Sequence, residues 1–209
     1  MSIKPENIWK RRIVIALLIA AGSILILFPA WLPEHTTLPT EESAVEGLQV
    51  FLLLIAAAFW FGAAKAAGKI GPFYKIMGLG GISAALGETD GMAQAHLPFP
   101  FHYIFIPVAI YGFVLFFKNQ KSFPRFYSEF TAHPAAGFFA SALIMIYVLA
   151  RFLGTPVLWQ ATLDGNYHPD IPRTVEGYLE LLACYLLMVG SIGLCIREKE
   201  DDPTLEESE

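Results

Sequence analysis

Residues 174–195 read TVEGYLELLACYLLMVGSIGLC, and no charge follows Glu180. At about 1.5 Å of rise per residue, a helix of this length crosses the ~30 Å hydrocarbon layer of a bilayer. Working outward, five more apolar segments of similar length can be placed, at 13–32, 45–64, 71–88, 101–117 and 134–153. Together they predict an all-α fold: a polytopic membrane bundle of about six transmembrane helices. Segments 71–88 and 101–117 are the most interrupted, the first by Lys75 and five glycines, the second by Pro107. A five-span bundle lacking 71–88 is the rival arrangement.

Composition agrees with this class. Of the 209 residues, 55% are hydrophobic and 16% charged, and the mean hydropathy is +0.51. Soluble domains carry about 25% charged residues. A water-soluble fold this apolar would expose large apolar patches, whereas lipid is itself an apolar solvent. The lipid bilayer is therefore the first expected partner. A net charge of −5 argues against nucleic acid. The chain reads as one transmembrane domain, 1–197, followed by an acidic tail, 198–209. Cys184 and Cys195 share one predicted helix about 16 Å apart, too far for a disulfide. Lys10, Arg11 and Arg12 before 13–32 resemble a signal peptide, but the apolar run is longer than such cores, so an uncleaved first span is expected.

Basic residues orient the bundle. With six spans and both termini in the cytoplasm, the inner segments hold twelve Lys and Arg residues, and the outer side only Arg151 and Arg173. That asymmetry is the positive-inside pattern. Small residues spaced by four in the third segment (Gly80/Ala84 and Gly81/Ala85) predict close packing against neighbouring helices. The outer segment 154–173 is long for a connector, and reads either as a lid or as a plain link.

The informative feature is where polar residues interrupt the spans. Glu46 and Gln49 open 45–64, three residues apart on one face. Glu88 and Asp90 close 71–88, and His102 opens 101–117. Arg151 lies near the end of 134–153, and Glu176 and Glu180 open 174–195 one turn apart. Glu180 sits about 10 Å along the helix from Arg173, among leucines. In the six-span topology all eight residues share the outer half of the membrane. Ionisable groups at that depth are costly, and usually meet inside the bundle. Three readings follow. The groups form a polar network that orders a structural or accessory membrane protein. Alternatively, Glu88, Asp90, His102 and Glu180 ligate a divalent metal, with Glu176 or Glu46 as general base, in an enzyme acting on a lipid or periplasmic substrate. In the third, Glu180 and Glu46 serve a proton- or cation-coupled carrier. The plain alternative for Glu46 and Glu176 is a first-turn carboxylate favoured by the helix dipole. His96 and His168 read as solvated loop residues and His133-Pro134 as a helix boundary, while nucleotide and Ser-His-Asp motifs are missing.

The pattern resembles uncharacterised bacterial multi-pass inner-membrane proteins. The acidic cluster Glu41-Glu42 leads to Glu46 and Gln49. Gly87-Glu88-Thr89-Asp90 stands where such proteins close a middle span with Arg-Glu-x-Asp, and Arg173 precedes the spaced Glu176 and Glu180. Gly87 takes the place of the arginine. The resemblance implies residence in a bacterial inner membrane and no known activity.

Overall fold

The computed structural model describes residues 41–94 and 102–200, with side chains from 44 to 89 and from 106 to 196. The expected first span, 13–32, and residues 201–209 of the tail lie outside the described residues, as does His96. Every regular element among the described residues is helical: α1 (Glu41–Ala66), α2 (Gly71–Gln94), α3 (His102–Asn119), α4 (Phe123–Thr131), α5 (Ala135–Leu153), α6 (Pro156–Leu163) and α7 (Asp170–Glu200).

Among the described residues, three helices are long and apolar enough to cross a membrane: α1 over Ala44–Ala66, α5 over Ala135–Leu153 and α7 over Asp170–Ile196. α2 is not among them, since Lys75, Glu88 and six glycines dilute it, and the described side chains of α3, which begin at Ile106, make too short a stretch to count as a span. Neighbours follow the order α3, α2, α1, α7, α5, with α1 and α7 innermost. The exposed faces are apolar where nothing packs on them, as at Ile110 and Phe113 of α3 and Tyr147 and Val148 of α5. Such a surface suits lipid rather than water.

Glycine sets the closest helix approach. A Cβ built on Gly81 would stand 3.3 Å from the Ala57 Cβ and 3.4 Å from the Leu53 carbonyl oxygen of α1. Ala85, one turn on, is buried. Gly80 and Ala84, the other small pair, do not join this contact: nothing lies within 4 Å of a Cβ on Gly80, and Ala84 is exposed. The smooth face is thus one stripe rather than two.

The connectors are more helical than the sequence reading expected. Segment 154–173 is largely helical. Thr155 is extended and Pro156 starts α6, a position where the missing proline N–H costs nothing. The Trp159 indole N–H donates to the Leu153 carbonyl and ties α6 back to the end of α5. α7 then begins at Asp170, earlier than the predicted 174. Between α3 and α5, α4 lays an aromatic face on the bundle. Phe126 stacks on Phe73 with ring centroids 4.9 Å apart and on Phe130 at 5.5 Å, and Trp60 meets Phe139 at 4.6 Å.

Helix directions sort the charges. The start of α1, end of α2, end of α5 and start of α7 share one end, which carries Glu46, Glu88, Glu176, Glu180 and Arg151. Lys65, Lys69, Lys75, Lys118, Lys121 and Arg125 belong to the other, the basic end.

Candidate functional site: a carboxylate-rich cavity at one end of the bundle

At the acidic end, α1, α2 and α7 surround a cavity of about 460 Å³. Glu46 and Gln49 from α1, Glu88 from α2, and Glu176 and Glu180 from α7 line it, together with Asp170 and Arg173. Three different helices thus deliver the predicted side chains to one place.

Gln49 is the most enclosed of them, only 2% exposed. Its Nε2 donates to the Gly177 carbonyl at 3.1 Å. That carbonyl belongs to the second turn of α7, so the bond fixes the register of α1 against α7. A buried amide without a partner would cost about 1–3 kcal/mol, which is why Gln49 sits where a backbone acceptor is offered.

Arg151 joins α5 to the same site. Its Nη1 donates to Glu176 Oε1, and its Nη2 lies 3.5 Å from Glu180 Oε1. One guanidinium therefore spans two carboxylates a helical turn apart, a geometry its planar fork suits. The Arg151 side chain is 64% exposed, whereas those of Glu176 and Glu180 are 25% and 22% exposed. The pair sits at the rim rather than in the core. Thr155 Oγ1 donates to the Arg151 carbonyl at 2.9 Å and steadies the turn that carries it.

Two features of α5 place Arg151, and sequence reasoning found neither. Residues Met145–Ala150 form a π-helical stretch. A wide turn of this kind acts like an inserted residue, rotating the chain beyond it by about 100°. The second is Gly154. A Cβ there would stand 2.6 Å from Glu176 Oε2 and 2.8 Å from the Ala150 carbonyl oxygen, so any larger residue would push the carboxylate from this position. A glycine three residues beyond an arginine that ends an apolar run was the available signal.

Glu88 lies within electrostatic reach of Glu46, Glu180 and Arg151. With Asp170 included, five carboxyl groups line the cavity, against Arg173 in the lining and Arg151 at its edge. Among the described residues, negative charge is in excess there. Asp90 falls in the last turns of α2 and His102 at the first residue of α3, but their side chains are outside the described set. The four-ligand metal set is thus half within the described residues. Among these, no three His, Cys, Asp or Glu side chains are grouped to hold a metal ion.

The remaining candidates are dispersed. His168 is exposed, its Nδ1 3.2 Å from Asp170 Oδ2. His133 is buried at the basic end, where its Nδ1 accepts from the Ala135 N–H at 2.9 Å. Cys184 and Cys195 are both buried free thiols. No family model, curated protein or solved structure shows a significant match to the chain.

Proposed function

We propose that the chain is a multi-pass protein of a bacterial inner membrane, crossing it six times with both termini in the cytoplasm. We further propose that it serves a structural or accessory role, with the acidic-end cluster as a clasp near the outer face. The observation that carries this reading is the single guanidinium of Arg151 shared by Glu176 and Glu180 across α5 and α7. The Gln49–Gly177 bond extends the same tie to α1. The collection of Lys and Arg at the opposite end supports the orientation. The resemblance in the Glu-x-Asp and spaced-glutamate motifs supports the compartment.

Reporter fusions test the topology. A fusion between Gly154 and Asp170 is expected to report the periplasm, and one between Asn119 and Phe123 the cytoplasm. The reverse result removes the outer-face assignment. Arg151→Ala tests the clasp, and is expected to lower the yield and unfolding temperature of the full chain. Unchanged stability removes that role.

The cavity favours a second reading, a proton- or cation-coupled site. Space for a small solute combined with surplus carboxylate suits a cation. Glu88→Gln separates the two. A clasp loses only like-charge repulsion, so stability stays level or rises, whatever cation is present. A cation site predicts that sodium, potassium or a small ammonium salt stabilises the parent protein, and that Glu88→Gln abolishes the effect.

A further inference from the structure

A second cavity, of about 550 Å³, opens at the basic end between the end of α1 and the exposed side of α4. Its floor is formed by buried Ile70, Tyr74 and His133, and its mouth by exposed Lys69, Arg125 and Ser128. From these residues we infer that this pocket is a seat for the phosphate of an anionic phospholipid headgroup, held by Lys69 and Arg125. The inference needs the bundle to lie in a bilayer, and is independent of the acidic-end cluster and of which leaflet each end faces.

Four observations support it. First, the donors suit a phosphate. The Glu129 carboxylate accepts from Arg125 Nε at 2.6 Å, which orients the guanidinium and leaves its two Nη groups as a fork. That same hydrogen bond pushes the guanidinium pKa up, so the charge persists at every physiological pH. Second, the floor is partly polar. The imidazole of buried His133 lines it, fixed by the Ala135 N–H that its Nδ1 accepts at 2.9 Å. Third, the place is right. α4 is a short amphipathic helix at the basic end, with Phe126 buried and Arg125 and Tyr127 exposed. Basic pockets at the ends of transmembrane helices are where lipid headgroups bind. Fourth, the surrounding charge attracts an anion. Glu129 and the carbonyl end of α1 oppose one, but Lys65, Lys75, Lys118 and Lys121 belong to the same end as Lys69 and Arg125.

The test uses the purified full chain in a neutral detergent and reads its unfolding temperature as lipid is titrated. The probes are phosphatidylglycerol, phosphatidylcholine and inorganic phosphate. Phosphatidylglycerol is expected to raise the unfolding temperature saturably, and the other two to have little effect. In Lys69→Gln/Arg125→Gln the lipid concentration for half the effect should rise about twenty-fivefold, at about fivefold per basic contact. Lys118→Gln/Lys121→Gln removes the same charge outside the pocket, and should retain most of the response. Should the pocket variant fold poorly, Ser128→Phe blocks the mouth without changing charge, and should also lose the response. Equal stabilisation by phosphatidylcholine would overturn the assignment. So would an equal loss in the Lys118/Lys121 variant, which indicates diffuse surface attraction. Stabilisation by inorganic phosphate alone would make this a free-phosphate site and remove the lipid from the proposal.

Discussion

Replacing Gly154 by alanine sets two effects of opposite sign against each other. The residue has φ −74° and ψ −4°, a right-handed conformation in which alanine is comfortable. The backbone alone would therefore favour the substitution by about 0.4–1 kcal/mol, through the lost freedom of the unfolded chain. Packing opposes it. The new methyl group would stand 2.6 Å from Glu176 Oε2, 2.9 Å from its Cδ and 2.8 Å from the Ala150 carbonyl oxygen. Ala150 is fully buried and cannot retreat, and Glu176 is held by Arg151. Relief requires the carboxylate to swing away and loosen its ion pair. Overpacking of this kind costs about 1–3 kcal/mol, so the net expectation is a loss of about 1–2 kcal/mol. For a chain of this size, that is a drop of about 2–8 °C in unfolding temperature. Thermal unfolding of the full chain in detergent measures it. A cycle with Glu176→Ala locates the cause, because with the carboxylate gone Gly154→Ala should cost at least 0.5 kcal/mol less, about the smallest coupling such cycles resolve. If Gly154→Ala unfolds at or above the parent temperature, Glu176 does not occupy this position and the clasp is misplaced.

Three further outcomes are expected. Arg151→Ala should cost about 1 kcal/mol in the same melt, a modest figure because the guanidinium is mostly exposed, and Glu180→Gln in that background should recover part of the loss by removing one of two unpaired carboxylates. Gly81→Leu should destabilise by about 1–3 kcal/mol, because its Cβ position already touches Ala57 and the Leu53 backbone, while Gly80→Leu, facing open space one residue earlier, should be nearly neutral; equal effects would disprove the assigned face of α2. Phe126→Ala should cost about 3 kcal/mol by opening the stack with Phe73 and Phe130, and limited proteolysis should then cut the segment between α3 and α5 faster than in the parent.

Among the described residues the long helices were legible, because each apolar run is long and bounded by charge or proline, but the two short ones were not. The helical path was clear for α1, α5 and α7, whose apolar windows match the expected spans to within a few residues. It was misread at 154–173. There the hydrophobic residues Val157, Leu158 and Trp159 were taken as part of a connector, although Pro156 after an extended Thr155 is a helix-start signal. α4 was missed for a related reason. Nine residues are too few to show a periodic pattern convincingly, and Phe123, Phe126 and Phe130 acquire meaning only from the rings of α1, α2 and α5 beneath them.

The candidate site shows how far one dimension carries. Position along a span fixes the depth of a side chain, since each residue adds a known rise. Glu46, Gln49, Glu88, Arg151, Glu176 and Glu180 could therefore be assigned a common level from sequence alone. Depth says nothing about which way a side chain points. Gly80/Ala84 and Gly81/Ala85 satisfy the same spacing rule, yet only the second pair meets α1, because direction depends on the neighbour. Arg151 was harder still, since the π-helical turn before it changes the direction of the chain end without any proline or glycine to announce it. Its choice of Glu176 and Glu180 follows from that rotation together with the gap at Gly154. A shared level is thus necessary for a polar site between helices, and here the turn before Arg151 and the small residue after it decide which pairs form.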